Sequence, residues 1–280
     1  MDAAFGIRLQ ASASTWHNRP VNREDEILVL FRAAANDREH GAMEIERSLV
    51  RGLLESGCRI RLDALHKGLQ MLAEGQPAMA NLRSMAAWMA AVESPASCMA
   101  RLTRRAAVLE ELPDRFSANA WPLVANRRMA VTISRSSAVA AVVEGAWQRG
   151  WQGSVVVLDG TAAGRGAEQA ERLAASGTAV ARPDAAATEL LDRDAVVVLV
   201  GADAVGQTRF VNATGTAALL EAARTRSVET VLVADTGKVV EEGVVDEIVA
   251  RSPRHREAPD REWPIFEAVP LALVSVRVTE

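Results

Sequence analysis

The stretch Ala195-Val196-Val197-Val198-Leu199-Val200-Gly201-Ala202-Asp203-Ala204 carries an unbroken valine- and leucine-rich run that gives way to a glycine and an aspartate. A strand with one wet face alternates apolar and polar residues, whereas a strand covered on both faces reads as a continuous apolar run. This stretch is of the second kind, and its aspartate falls at the strand's carboxyl end. Working outward, runs of the same grammar lie at 129–133, 154–158, 178–181, 230–234 and 272–276. Segments of helical periodicity separate them, at 137–149, 167–176, 185–191, 216–224 and 241–251. The alternation predicts right-handed βαβ units, hence an α/β fold with a Rossmann-like, doubly wound parallel sheet. The charged stretch 251–263, with two prolines, is expected to be a long surface connection.

Upstream of Pro113 the pattern is helical. Ile27, Leu28, Leu30 and Phe31 share a helical spacing over 24–35, and Met43, Ile45, Leu49, Val50 and Leu53 do so over 41–54, where Gly57 is placed as a stop. Helices are predicted at 63–72, 81–92 and 96–112 as well, with Pro95 dividing the last two. Strand signals are absent there. The chain is therefore expected to divide into a helical N-terminal domain, 1–115, and a Rossmann-like ligand-binding domain, 116–280.

Composition narrows the function. The residues before Trp121 include 15 basic and 15 acidic side chains and the rest 17 and 21, for a net charge of −4. Neither part is basic, so no nucleic-acid partner is expected. No apolar run approaches the roughly 18 residues of a membrane span, so no membrane partner is expected either. The first ten residues lack a basic start followed by an apolar run, which points to the cytoplasm. Cys58 and Cys98 form neither a disulfide framework nor a zinc spacing and read as small buried hydrophobes. The four histidines are scattered, so no metal is expected. The first strand is not followed by G-x-G-x-x-G, and the loop Gly160-Thr161-Ala162-Ala163-Gly164-Arg165-Gly166 has no Walker lysine, so it reads as flexible and no cofactor is expected.

In an open parallel sheet, ligands bind beyond the carboxyl ends of the strands, where helix N-termini present free N–H groups. Three strand ends carry suitable residues. Ile133-Ser134-Arg135-Ser136-Ser137 runs from a strand into hydroxyls and an arginine; Ser136 or Ser137 can cap the next helix, or the group can cradle an anion. Asp203 follows the most apolar strand and reads as a general acid/base or hydroxyl acceptor, against a turn cap. Asn212-Ala213-Thr214-Gly215-Thr216 opens a helix and can cap it or bind phosphate. Lys238, one of only two lysines, either adds charge to the same rim or is solvated.

These residues resemble the signature of the initiation factor 2B alpha/beta/delta family, which includes ribose 1,5-bisphosphate isomerase and methylthioribose-1-phosphate isomerase. Gly201-Ala202-Asp203-Ala204-Val205 followed by Asn212-Ala213-Thr214-Gly215-Thr216 is similar to its "GADAV … NKxGT". Phe266-Glu267-Ala268-Val269-Pro270 and Val278-Thr279-Glu280 resemble "FDxTP … ITE", Asp37-Arg38-Glu39-His40-Gly41-Ala42 resembles "D-R-x-x-G-A", and Gln76-Pro77-Ala78 resembles "R-P-T". The resemblance spans about 37–280. It implies a helical domain, a Rossmann-like domain and a homodimer. It implies ligand contacts from His40, Gly41, Ala42, Ser137, Asn212, Gly215, Thr216 and Lys238, and retention of the catalytic aspartate as Asp203. It also places Arg135 where the isomerases use a cysteine, Gln76 and His40 where they use arginines, and Ala213 where they use a lysine. Aldose–ketose isomerisation needs two groups moving protons between adjacent carbons. The expected function is thus binding of a phosphorylated small molecule, a sugar phosphate or nucleotide, without isomerase activity. An isomerase using Asp203 and His40, and a scaffold subunit of a protein assembly, are the alternatives.

Overall fold

The computed structural model describes residues 23–38, 40–57, 60–160, 165–258 and 261–280. Cys58, Glu39, the first ten residues and positions 161–164 of the glycine loop lie outside them.

Five helices come first: α1 (Arg23–Asn36), α2 (Ala42–Ser56), α3 (Leu62–Gly75), α4 (Ala80–Ala90) and α5 (Pro95–Val124). Gly57 ends α2 at φ 65°, a left-handed conformation that favours glycine. Helix α5 departs from the expectation of a stop before Pro113. It starts at a Ser94 cap, runs through Pro113 and Pro122, and carries the chain past position 115. Pro113 has no N–H for the carbonyl of Leu109, and the Arg47 guanidinium takes that carbonyl at 3.0 Å instead.

A parallel sheet follows, built from β1 (Met129–Ile133), β2 (Ser154–Leu158), β3 (Ala179–Arg182), β4 (Val196–Val200), β7 (Glu229–Val233) and β11 (Val276–Val278) in the order β11-β7-β4-β1-β2-β3. Its helices are α6 (Ser137–Gln148), α7 (Arg165–Ala174), α8 (Ala187–Leu191), α9 (Thr216–Thr225) and α10 (Glu242–Ala250). The four central strands, β1, β2, β4 and β7, are buried on both faces, as their continuous apolar runs require, whereas the edge strand β3 alternates and leaves Val180 and Arg182 exposed, against the expectation for 178–181. Ala130, Val155, Val157, Val197, Leu199, Val231 and Val233 pack with α6, α7 and the N-terminal helices in one core. Val131, Ile133, Val156, Val198, Val200 and Leu232 pack with α8 and α9 in another. Each fully buried Val or Leu is worth about 1.5–3 kcal/mol, so these alternating rows fix the register of the four central strands.

Three further sequence expectations are corrected. The stretch 251–263 is not a plain connection: it folds into an antiparallel hairpin of β8 (Arg254–Ala258) and β9 (Arg261–Pro264). Its charges gave no apolar period to reveal it. The last strand lies at 276–278 rather than 272–276, because Leu271 and Leu273 are buried in a one-turn helix under α9. Helix α7 begins at Arg165 inside the expected loop. Finally, a small antiparallel sheet was not anticipated: β10 (Phe266–Pro270), β6 (Arg209–Ala213) and β5 (Ala204–Val205). It packs on α10 and on the Ala78–Ala80 region through Ala204, Val211, Val245 and Ile248.

Candidate functional site

The strand order reverses between β1 and β4. The connection after β1 lays α6 on one face of the sheet, and the connection after β4, through β5 and β6, lays α9 on the other, so the two carboxyl ends border an open crevice. The helical region closes this crevice into a cleft of about 260 Å³.

One wall comes from β1. After Ile133 the chain turns at Ser134, whose φ is 58°. Arg135 follows, and then Ser136, whose Oγ accepts the N–H of Val139 at 3.3 Å and caps α6. The capping reading is thus correct for Ser136, while Arg135, Ser136 and Ser137 also line the cleft. Arg135 and Arg172, on α7, reach into it with only loose contacts to carboxylates, at 3.7 Å to Glu168 and 3.8 Å to Glu144.

The opposite wall comes from β4. A Cβ on Gly201 would collide with the Ser136 hydroxyl, so only glycine lets the two strand ends approach this closely. The Asp203 backbone is held on both sides: its N–H donates to the Val211 carbonyl at 2.8 Å, and its carbonyl accepts the Ala80 N–H at 3.3 Å. Its carboxyl lines the cleft. Burial pushes that carboxyl above the ordinary carboxylate range, and the charges of Lys238 and Arg165 oppose the shift. Lys238 sits in the turn Thr236–Lys238 after β7. It is 7% exposed and donates to the Ala202 carbonyl at 2.6 Å. It is therefore a buried cleft residue, not a solvated one.

The roof is the start of α2. Gly41 donates its N–H to the Glu44 carboxylate at 3.1 Å, and the Ala42 carbonyl accepts from Asn81 at 3.0 Å. His40 lines the cleft and its Nδ1 pairs with Asp37 at 2.8 Å. Asn212 completes the lining from the end of β6, with its amide donating to the Thr216 hydroxyl at 3.0 Å.

The cleft thus brings together His40, Gly41, Ala42, Arg135, Ser136, Ser137, Asp203, Asn212 and Lys238. It does not include Gly215 and Thr216. Gly215 caps α9 at φ 104°, and its N–H and that of Ala217 both donate to Glu267 at 2.9 Å. Thr216 is fully buried, with its hydroxyl bonded to the Ala213 carbonyl. The anion at this helix N-terminus is therefore a carboxylate of the chain itself. Glu44, Gln169 and Arg172 line the cleft and were not singled out from the sequence. One signal was legible: Gln169 is a polar residue on the otherwise small or apolar buried face of α7, beside Gly166, Ala170 and Leu173. Among the described residues, no group of three or more His, Cys, Asp or Glu side chains is placed to hold a metal ion. No helix among them is long and apolar enough to cross a membrane.

A helical layer, a doubly wound sheet and a charged cleft at the reversal of strand order define an α/β protein of Rossmann-like architecture with a strand-end site. The sequence profile of the Initiation factor 2 subunit family matches residues 38–280, and the chain belongs to that family. Its fold is similar to that of the translation initiation factor eIF-2B of Pyrococcus horikoshii OT3, with a TM-score of 0.78 and 20% identity over 90% of this chain and 94% of that one. The tetrameric eIF2B-beta2-delta2 complex from C. thermophilum gives 0.72 and 15%, covering 90% of each chain. The 5-methylthioribose 1-phosphate isomerase from Pyrococcus horikoshii OT3 gives 0.64 and 18%, over 91% and 83%. No curated protein sequence matches the chain.

Proposed function

We propose that this chain binds a phosphorylated small molecule, a sugar phosphate or nucleotide, in the strand-end cleft, and does so without the isomerase activity of its enzymatic relatives. The observation that carries the proposal is Lys238. A buried ammonium needs compensation by charge and hydrogen bonds, yet among the described residues its one hydrogen bond is to the Ala202 carbonyl. Arg135 and Arg172 face the same space with loosely held carboxylates. These cations, the serine hydroxyls and the first N–H groups of α6 suit a phosphate's oxygens. Asp203, held towards its protonated form, suits a ligand hydroxyl or carbonyl. Arg135 at the place of the isomerases' cysteine stabilises an anion and does not deprotonate carbon. The reading extends to a cytoplasmic homodimer, and the occurrence of a family fold in a tetrameric complex supports the assembly part.

The test is thermal unfolding against a panel of sugar phosphates and nucleotides. A ligand that binds only the folded state, at 100 times its dissociation constant, adds about 2.7 kcal/mol. Arg135→Ala is expected to weaken the binding of the responding compound about tenfold or more, the scale of one charged hydrogen bond. An unchanged affinity would sink the proposal.

The pairing of His40 with Asp37 favours a second reading. An imidazole oriented by a carboxylate is a competent base, and Asp203 a competent acid, so the pair meets the two-group requirement of isomerisation. Turnover of ribose 1,5-bisphosphate or methylthioribose 1-phosphate that is lost in both Asp203→Asn and His40→Ala would establish this reading. No turnover across the panel would remove it.

A further inference from the structure

A chain of buried ionic groups joins the roof of the cleft to Lys238. Glu46, on α2 one turn below the cleft-lining residues, is 1% exposed. It accepts two bonds from the Arg105 guanidinium of α5, at 2.6 and 2.8 Å, and one from Asn81 at 2.8 Å. The same Asn81 amide holds the Ala42 carbonyl at the roof. On its other side, Arg105 Nη2 lies 3.6 Å from Oδ1 of Asp235, which is 4% exposed. Asp235 caps the Thr236–Lys238 turn by accepting the Gly237 N–H at 3.1 Å. Gly237 packs so closely beneath the guanidinium that a Cβ there would come 3.1 Å from Arg105 Nη2. Glu280 grips the turn from the other side through the N–H and hydroxyl of Thr236. The turn ends at Lys238, which holds the carbonyl next to Asp203.

We propose that Arg105, which lies outside the cleft lining, is the positioning residue that sets the Lys238 ammonium against the Ala202–Asp203 loop and ties it to the first turn of α2. Arg105 acts through Asp235 and the turn, not by contact with a ligand. Its consequence for ligand affinity rests on reading the cleft as a phosphate site. Its effect on Lys238 does not. A merely structural arginine would change the stability of the protein and leave the surroundings of Lys238 in the folded state as they are.

Lys67 and Lys238 are the only lysines in the chain. Protein carrying ¹³C at lysine Cε therefore gives two ε-methylene signals, and Lys67→Arg identifies that of Lys238. Arg105→Met alone strands the Glu46 carboxylate in the interior, so it is paired with Glu46→Gln, whose amide oxygen still accepts from Asn81. Asp235→Asn is the second variant: it keeps the cap oxygen and removes the charge that faces Arg105. In both, the Lys238 signal is expected to move while that of Lys67 stays. The dissociation constant for inorganic phosphate, followed on the Lys238 signal, should rise about tenfold, as for loss of one charge-assisted bond. An unmoved Lys238 signal in a variant with wild-type circular dichroism overturns the assignment. So does unfolding of Asp235→Asn, which would make the ionic chain a structural support. A wild-type Lys238 signal indifferent to phosphate, with both variants still moving it, would overturn the phosphate reading and uphold the positioning role.

Discussion

Asp203 shows how one residue can be placed by its neighbours at the expense of the fold. Its carboxyl is raised by burial, with Lys238 and Arg165 only partly offsetting this. A carboxyl that takes its proton more readily in the folded than in the unfolded chain favours folding at low pH, and that contribution is lost as pH rises through the raised folded value. Asp203→Asn removes the penalty. The variant is therefore expected to be more stable than the wild type at neutral pH while binding ligand more weakly. The gain should grow as pH rises through the carboxylate range and be smallest at acid pH. Urea unfolding of both proteins at a series of pH values measures it, and equal stability throughout would refute it. Asp203 and Arg135 were legible because each lies within three residues of the end of an apolar strand, which puts it at the sheet's rim, whereas Lys238, a turn further from β7, could be read as a rim charge or as solvated. Arg172 was not legible: it lies on an amphipathic helix, where an arginine is ordinarily solvated, and only the packing of α7 on β2 and β3 brings it to the cleft.

At the scale of elements, helix α5 runs against local preference. Proline inside a helix costs about 3 kcal/mol relative to alanine, yet α5 continues through Pro113. The Arg47 guanidinium on α2 replaces the missing N–H by bonding the buried Leu109 carbonyl. Arg47→Met should leave that carbonyl unsatisfied and cost about 1–3 kcal/mol. In a Pro113→Ala background the helix supplies its own N–H, so the same change should cost less, with a coupling of about 0.5 kcal/mol or more. Denaturant unfolding of the four proteins closes this cycle, and strict additivity would show that Arg47 does not serve the proline. The same contest explains what was and was not visible in the sequence. The stop at Gly57 depends on residues within one turn and was read correctly, and the cap at Ser136, equally local, was one of the readings open for Ser136 and Ser137. The continuation of α5 depends on a side chain 62 residues away. The small sheet pairs Arg209–Ala213 with Phe266–Pro270 across a similar distance, and the short segments that form it carry too few alternating positions to show a period.

For the whole molecule, the question is whether the helical part and the sheet are separate folding units. The expected division at 115 and 116 falls inside α5. A single core runs from Phe31, Leu49 and Leu65 in the helices through Phe116 and Val143 to Val155, Val197 and Val231 in the sheet. The ionic chain through Arg105 crosses the same boundary, running from Glu46 to Asp235. A core shared in this way cannot be opened on one side without exposing the other, because the sheet face that packs on α6 and α7 shares its buried side chains with α5 and the helices before it. The chain is accordingly expected to unfold in one transition, with calorimetric and van't Hoff enthalpies in agreement. Far-ultraviolet circular dichroism and tryptophan fluorescence should report the same midpoint. Two resolved transitions would instead establish independent domains. In that case the cleft, whose roof is α2 and whose floor is the end of the sheet, would be an interface between two bodies. If the single transition holds, a ligand in the cleft raises the midpoint of the whole chain, and residues far from it, Arg47 among them, set how much apparent affinity the folded population retains.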